Sequence, residues 1–157
     1  MATISGASER LIGLPRRWGS RDDFARLTAA MLRGQAATLD GVWGSACAPA
    51  AAVLAGAAPR TLVVVCPKLD DPDVFVDDLA VFSSFAPERF PAREVLPHEK
   101  VVQDELFGER IRVLKRFGGT DIPNVLVTCI QSLIQPVPTR EVLGAKTRVF
   151  RRGQAEE

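Results

Sequence analysis

Apolar residues recur along this chain in two rhythms. Phe24, Leu27 and Met31 stand three or four positions apart, the spacing of one helix face, up to Gly34. Ser20 followed by Asp23 has the form of a capping box, which predicts the start of that helix. A loop from Gly41 to Ser45 precedes a second predicted helix that runs through Ala58 and stops at Pro59 and Arg60. Phe75, Leu79 and Phe82 form the stripe of a third, opened by Asp71-Pro72 with Pro72 in the first turn. Phe107, Ile111, Leu114 and Phe117 mark a fourth, closed by Gly118-Gly119. Ile130, Leu133 and Ile134 lie on a short one that Pro136 and Pro138 end.

Between the helices the rhythm changes. Thr61 to Cys66 is a continuous β-branched run, apolar on both faces, which predicts a strand in the middle of a covered, mostly parallel sheet. Asn124 to Thr128 is a second buried strand. Phe90 to Leu96 reads as a short strand leading into a Pro97 loop, and Thr147 to Arg152 as a last strand. Helices alternating with strands imply an α/β sheet built from crossover connections. Residues 1–20 hold Gly, Pro and Arg without periodicity and read as a flexible arm. The domain then spans 21–146, and 147–157 form a tail or the start of a following domain.

The 157 residues suit one domain, and 46% hydrophobic with 25% charged residues is near the globular average, so neither a disulfide nor a metal is required for a core. A net charge of +1 argues against a generic polycation that coats nucleic acid or anionic lipid. No run of about 18 apolar residues predicts a membrane span. Met1 to Arg10 lacks a basic end followed by an apolar run, so no secretory signal is read. Arg16, Arg17, Arg21, Arg26 and Arg33 resemble a transit peptide weakly, against Glu9, Asp22 and Asp23. Cys47, Cys66 and Cys129 cannot all pair and form no C-x-x-C, which predicts reduced thiols and a cytoplasmic protein.

Gly41-Val42-Trp43-Gly44-Ser45-Ala46-Cys47-Ala48 stands where a phosphate loop would stand, before a helix. A working loop reads G-x-x-x-x-G-K-[ST]: backbone N–H groups wrap the phosphates, the Lys neutralises them and the hydroxyl holds Mg²⁺. Aligning Gly41 with the first glycine puts Ala46 on the second, Cys47 on the Lys and Ala48 on the Ser/Thr. None of these substitutes supplies charge or a metal ligand, so the loop is expected to be inactive. The plainer reading is an ordinary loop with Ser45 as helix cap.

Other candidates are weaker. A single His, His98 beside Glu99, cannot build a multi-ligand zinc site with three scattered cysteines. Cys47 at a helix start has no second His to activate it. Asp70, Asp71, Asp73, Asp77 and Asp78 lack the Gly and terminal Glu of a calcium loop and read as the solvated start of a helix. Arg110, Arg112, Lys115 and Arg116 make one helix basic, and Arg148, Arg151 and Arg152 add a second group. Of these, Arg110, Lys115, Arg151 and Arg152 are the candidate contacts to DNA or a partner. Trp18 and Trp43 are isolated and expected to pack.

Several blocks together resemble one family. Gly44-Ser45-Ala46 and then Thr61 to Pro67 resemble the start of the bacterial transcription-repair coupling factor. Phe90 to Glu99 resembles its "P-A-W-E-T-L-P-Y-E" block, with Arg93 in place of Trp and His98 in place of Tyr. Glu109-Arg110-Ile111 through Leu114 resembles its "E-R-L-x-x-L" helix. Val125 to Pro138 is similar to "V-L-V-T-S-I-Q-A-L-L-Q-P-V-P", and Phe150 to Gln154 resembles its "K-x-G-Q" run. The resemblance covers roughly residues 38–154, a small N-terminal part of a family protein many times longer.

The resemblance implies a three-layer RecA-like domain, similar to P-loop NTPases, with a degenerate phosphate loop (Gly41, Gly44, Ser45, Ala46, Cys47, Ala48). It also implies similarity to the excision-repair protein UvrB. The implied role is a non-catalytic module for transcription-coupled nucleotide excision repair that supports UvrA recruitment through the adjacent domain and autoinhibition of the full-length DNA translocase. No cofactor is implied for this chain, since ATP and Mg belong to a downstream motor. The implied partners are the remaining domains of the coupling factor, with DNA and RNA polymerase met only by the full-length protein and no membrane. The rival readings from the residues are a stand-alone DNA-binding α/β module and a small P-loop nucleotidase.

Overall fold

The computed structural model describes residues 3–93 and 104–148. In chain order the elements are helices α1 (Thr3–Gly19) and α2 (Asp22–Leu32), a 3-10 turn (Gly44–Ala46), helix α3 (Cys47–Ala57), strand β1 (Leu62–Cys66), helix α4 (Asp71–Phe82), strand β2 (Glu88–Phe90), helix α5 (Asp104–Gly118), strand β3 (Val125–Cys129), and helices α6 (Ile130–Ile134) and α7 (Arg140–Ala145). The three strands form one parallel sheet in the order β1-β3-β2. The fold is α/β, with a small parallel sheet flanked by helices.

Side-chain alternation divides the sheet into two faces. Val125 and Val127 of β3, with Leu62, Val64 and Cys66 of β1, meet Leu79 of α4 and the alanine face of α3 (Ala48, Ala51, Ala52, Ala55). Small side chains let α3 lie close to the sheet. On the opposite face Leu126 and Phe90 pack under Val113 and Leu114 of α5. The chain thus passes from β1 through α4 to the far strand β2, then through α5 on the other face back to β3 in the centre.

Several expectations are corrected. The stretch read as an arm is helix α1, which packs on α3 and α4. The Ser20 capping box does not form: the Ser20 hydroxyl donates to the Arg17 carbonyl at 2.9 Å, Arg21 caps α2 without a side-chain bond, and Asp23 pairs with Arg26. Among the described residues the central strand is β3, buried at every position, whereas β1 is an edge with Val63 49% and Val65 46% exposed. The second strand starts earlier than expected, at Glu88, and the rest of the predicted run from residue 94 lies outside the described residues. Helix α7 was not expected; the Thr139 hydroxyl accepts from the Val142 amide at 3.3 Å at its start. Thr147 and Arg148 are not in a strand, and 149–157 lie outside the described residues. Helices α4, α5 and α6 fall where the periodicity puts them.

Candidate functional site

The glycine-bearing loop is built by backbone conformation. Gly41 (φ 78°) and Gly44 (φ 53°) occupy the left-handed region, where a Cβ is strained, and they turn the chain into the 3-10 turn and α3. No regular strand enters this loop from residues 35–39, unlike the strand-loop-helix of a phosphate site. Ser45 does not cap α3: the helix follows from Ala46 without a side-chain cap. Ala48 is buried in the core and the Cys47 thiol donates weakly to the Val42 carbonyl at 3.8 Å. Trp43, expected to pack, is 80% exposed, while Trp18 does pack, stacking on Phe24 at 5.8 Å.

Gly44, Ser45 and Cys47 share a cavity of about 510 Å³ with the carboxyl end of β1 (Val64 to Pro67) and with Asp71 and Asp78 of α4. The acidic or basic side chains that line it are those of Asp71 and Asp78. Burial pushes the Cys66 thiol above its ordinary value, with Asp71 and the neighbouring Cys129 and Cys47 adding to the shift, so this thiol stays protonated and unreactive. All three cysteines are free, as expected. No group of three or more His, Cys, Asp or Glu among the described residues is placed to hold a metal ion.

The basic helix α5 is spoken for by internal partners. Arg110, expected as a surface contact, is 3% exposed. Its guanidinium donates to the Pro91 carbonyl at 2.5 Å, to Ser132 Oγ at 2.6 Å and to the Ser132 carbonyl at 3.4 Å, and it lies over the Phe90 ring at 4.1 Å. Burial and the nearby Arg93 pull its pKa below the ordinary arginine range. Ser132 Oγ also donates to the Pro91 carbonyl, and the Gln135 amide clasps the Arg93 backbone with two bonds of 2.7 Å. These bonds tie β2, α5 and α6 together at the carboxyl end of the sheet.

Arg112 and Arg116 both pair with Glu88, a buried carboxylate at the start of β2, and Arg116 also pairs with Asp121 at 2.8 Å. The Glu88 hydrogen bond is the first cause that holds the Arg116 pKa above its ordinary value. Arg89 bridges Asp73 and Glu109. Of the four basic α5 residues, Lys115 alone is exposed without a carboxylate partner among the described residues. Arg151, Arg152 and His98 lie outside the described residues.

A feature that sequence reading missed is the apolar surface of α6. Ile130, Leu133, Ile134 (78% exposed) and the following Val137 all face solvent, because Ser132 and Gln135 take the inward positions. The signal was available: a five-residue helix cannot bury three large side chains against a sheet that already holds α5.

Compared with protein-family models, curated protein sequences and solved structures, the chain gives no match in any of the three. No helix among the described residues is long and apolar enough to cross a membrane.

Proposed function

We propose that this chain is a non-catalytic docking module with a RecA-like core, acting as the N-terminal part of a transcription-repair coupling factor. Its role is to support the domain that recruits UvrA and to hold the full-length translocase inactive. The observation that carries this reading is the exposed apolar surface of Ile130, Leu133, Ile134 and Val137, held rigidly by the Arg110–Ser132–Pro91 bonds. A fixed apolar patch at the carboxyl end of a sheet suits a neighbouring domain. The loop supports the same reading. Cys47 and Ala48 replace the groups that bind phosphate and Mg²⁺, and Asp71 and Asp78 make the adjoining cavity repel polyphosphate. A small nucleotidase is disfavoured on those grounds, and a flat ATP titration is the expected companion result.

The test is the size of the native protein. An antibody raised against this chain should mark, in a lysate of the source cells, a band many times larger than 17.0 kDa. A band at 17.0 kDa would overturn the coupling-factor reading.

A further inference from the structure

Edge strands ordinarily carry a charge or a proline that blocks pairing with another chain. Strand β1, Leu62-Val63-Val64-Val65-Cys66, carries neither. Its ladder with β3 fixes which backbone groups are left over. The Leu62 amide donates to the Asn124 carbonyl at 2.8 Å, so in this parallel pair Leu62, Val64 and Cys66 turn their polar groups toward β3. Val63 and Val65 turn theirs outward. The same two residues present half-exposed side chains on the face that α5 leaves bare. An open cavity lies at each end of the strand. One of about 660 Å³ is lined by Arg60, Val63, Phe117 and Ile122. The other, of about 510 Å³, holds Val65, Asp71, Val74 and Asp78.

We propose that β1 pairs antiparallel with β1 of a second copy of this chain, about a two-fold axis through Val64. That axis sets Val63 of each copy opposite Val65 of the other, as hydrogen-bonded pairs that use the outward amides and carbonyls. The facing valines lie on one side of the joined sheet and shield each other from water. On the other side Leu62 faces Cys66. The charges favour a second copy over an unrelated strand, because the edge is its own complement. Arg60 is exposed at the amino end, and Asp71 and Asp78 line the cavity at the carboxyl end. The two-fold brings each Arg60 to the other copy's carboxylates. Lys68 stands at that end as well, but its one ammonium is outnumbered by Asp71 and Asp78, so negative charge still predominates there. An isologous contact of this kind closes on itself and leaves no further edge on β1. The inference rests on β1 and is independent of the α6 surface that carries the proposed function.

Sedimentation velocity of the intact chain over a dilution series tests it. The expected result is a species of twice 17.0 kDa that dissociates on dilution. Val65→Lys should give a monomer whose melting by circular dichroism stays cooperative. Arg60→Glu should raise the dissociation constant about tenfold, since two symmetric rim contacts become repulsive, and adding Asp78→Lys should restore it. A wild-type chain that is monomeric at every concentration overturns the proposal, and so does a dimer that Val65→Lys leaves intact. If Val65→Lys fails to fold, the two charge variants decide: a dimer indifferent to both is built on another surface.

Discussion

Arg110 shows how one side chain can be misplaced by composition and placed correctly by spacing. Counted with Arg112, Lys115 and Arg116 it belongs to a basic stripe. Counted along the helix it shares a face with Leu106, Val113, Leu114 and Phe117, the apolar side of α5, and that is where the structure puts it. A guanidinium on that face must find acceptors, and Pro91 and Ser132 supply them, with the Phe90 ring beneath. Arg110→Ala removes the guanidinium bonds to the Pro91 carbonyl and to Ser132, leaves the Pro91 carbonyl with the Ser132 hydroxyl, and opens a cavity beside Phe90. We expect a loss of about 2–4 kcal/mol in urea unfolding. Arg110→Lys should recover less than half of it, because an ammonium cannot lie flat on the ring and reach both acceptors. A loss below about 0.5 kcal/mol for Arg110→Ala would show that the buried network adds nothing net.

Two apolar strands looked alike in the sequence and sit in different places. Thr61–Cys66 is a continuous β-branched run and Asn124–Thr128 reads as a second buried strand, and periodicity cannot say which is central. The difference arises from the order of connections, which carries the chain past β3's slot to β2 and then back. Helix α1 escaped notice for another reason. Pro15 reads as a helix breaker, yet α1 runs through it and Pro15 is buried, where it lines a cavity with Ile12, Gly19, Ala52, Phe82 and Phe85. The close approach of α1 to α3 is set at Gly19, where a Cβ would meet Val53 Cγ1 at 3.3 Å. Gly19→Val should therefore push the helices apart and cost about 1–3 kcal/mol in the thermal or urea transition. Gly13→Ala is the control: nothing lies within 4 Å of its Cβ position, and replacing a helical glycine should stabilise by about 0.5–1 kcal/mol. If both substitutions act alike, α1 does not dock on α3 as described.

At the scale of the molecule, charge decides what the surface can attract. The sum of +1 was legible from composition, but the pairing was not, because Glu88, Arg112 and Arg116 are brought together only by the packing of α5 against β2. That packing turns a sequence-level basic stripe into a neutralised seam. A duplex phosphate backbone would have to break those pairs before it gained contacts, and Lys115 alone offers little. We therefore expect fluorescence anisotropy with a labelled duplex to give an affinity no tighter than about 10⁻⁴ M at physiological salt. The logarithm of the binding constant should fall against that of salt with a slope no steeper than about −2 to −3, the share of Lys115, Arg151 and Arg152. Micromolar binding with a slope near −6 would mean that the arginines of α5 leave Glu88 to meet phosphates, and the DNA-binding alternative would then displace the docking module. Glu88→Gln separates the cases at the level of mechanism. If pairing keeps α5 from DNA, removing the buried carboxylate should free Arg112, while Arg116 keeps Asp121, and steepen the salt dependence by about one phosphate. If it leaves the slope unchanged, the seam is not what holds DNA away.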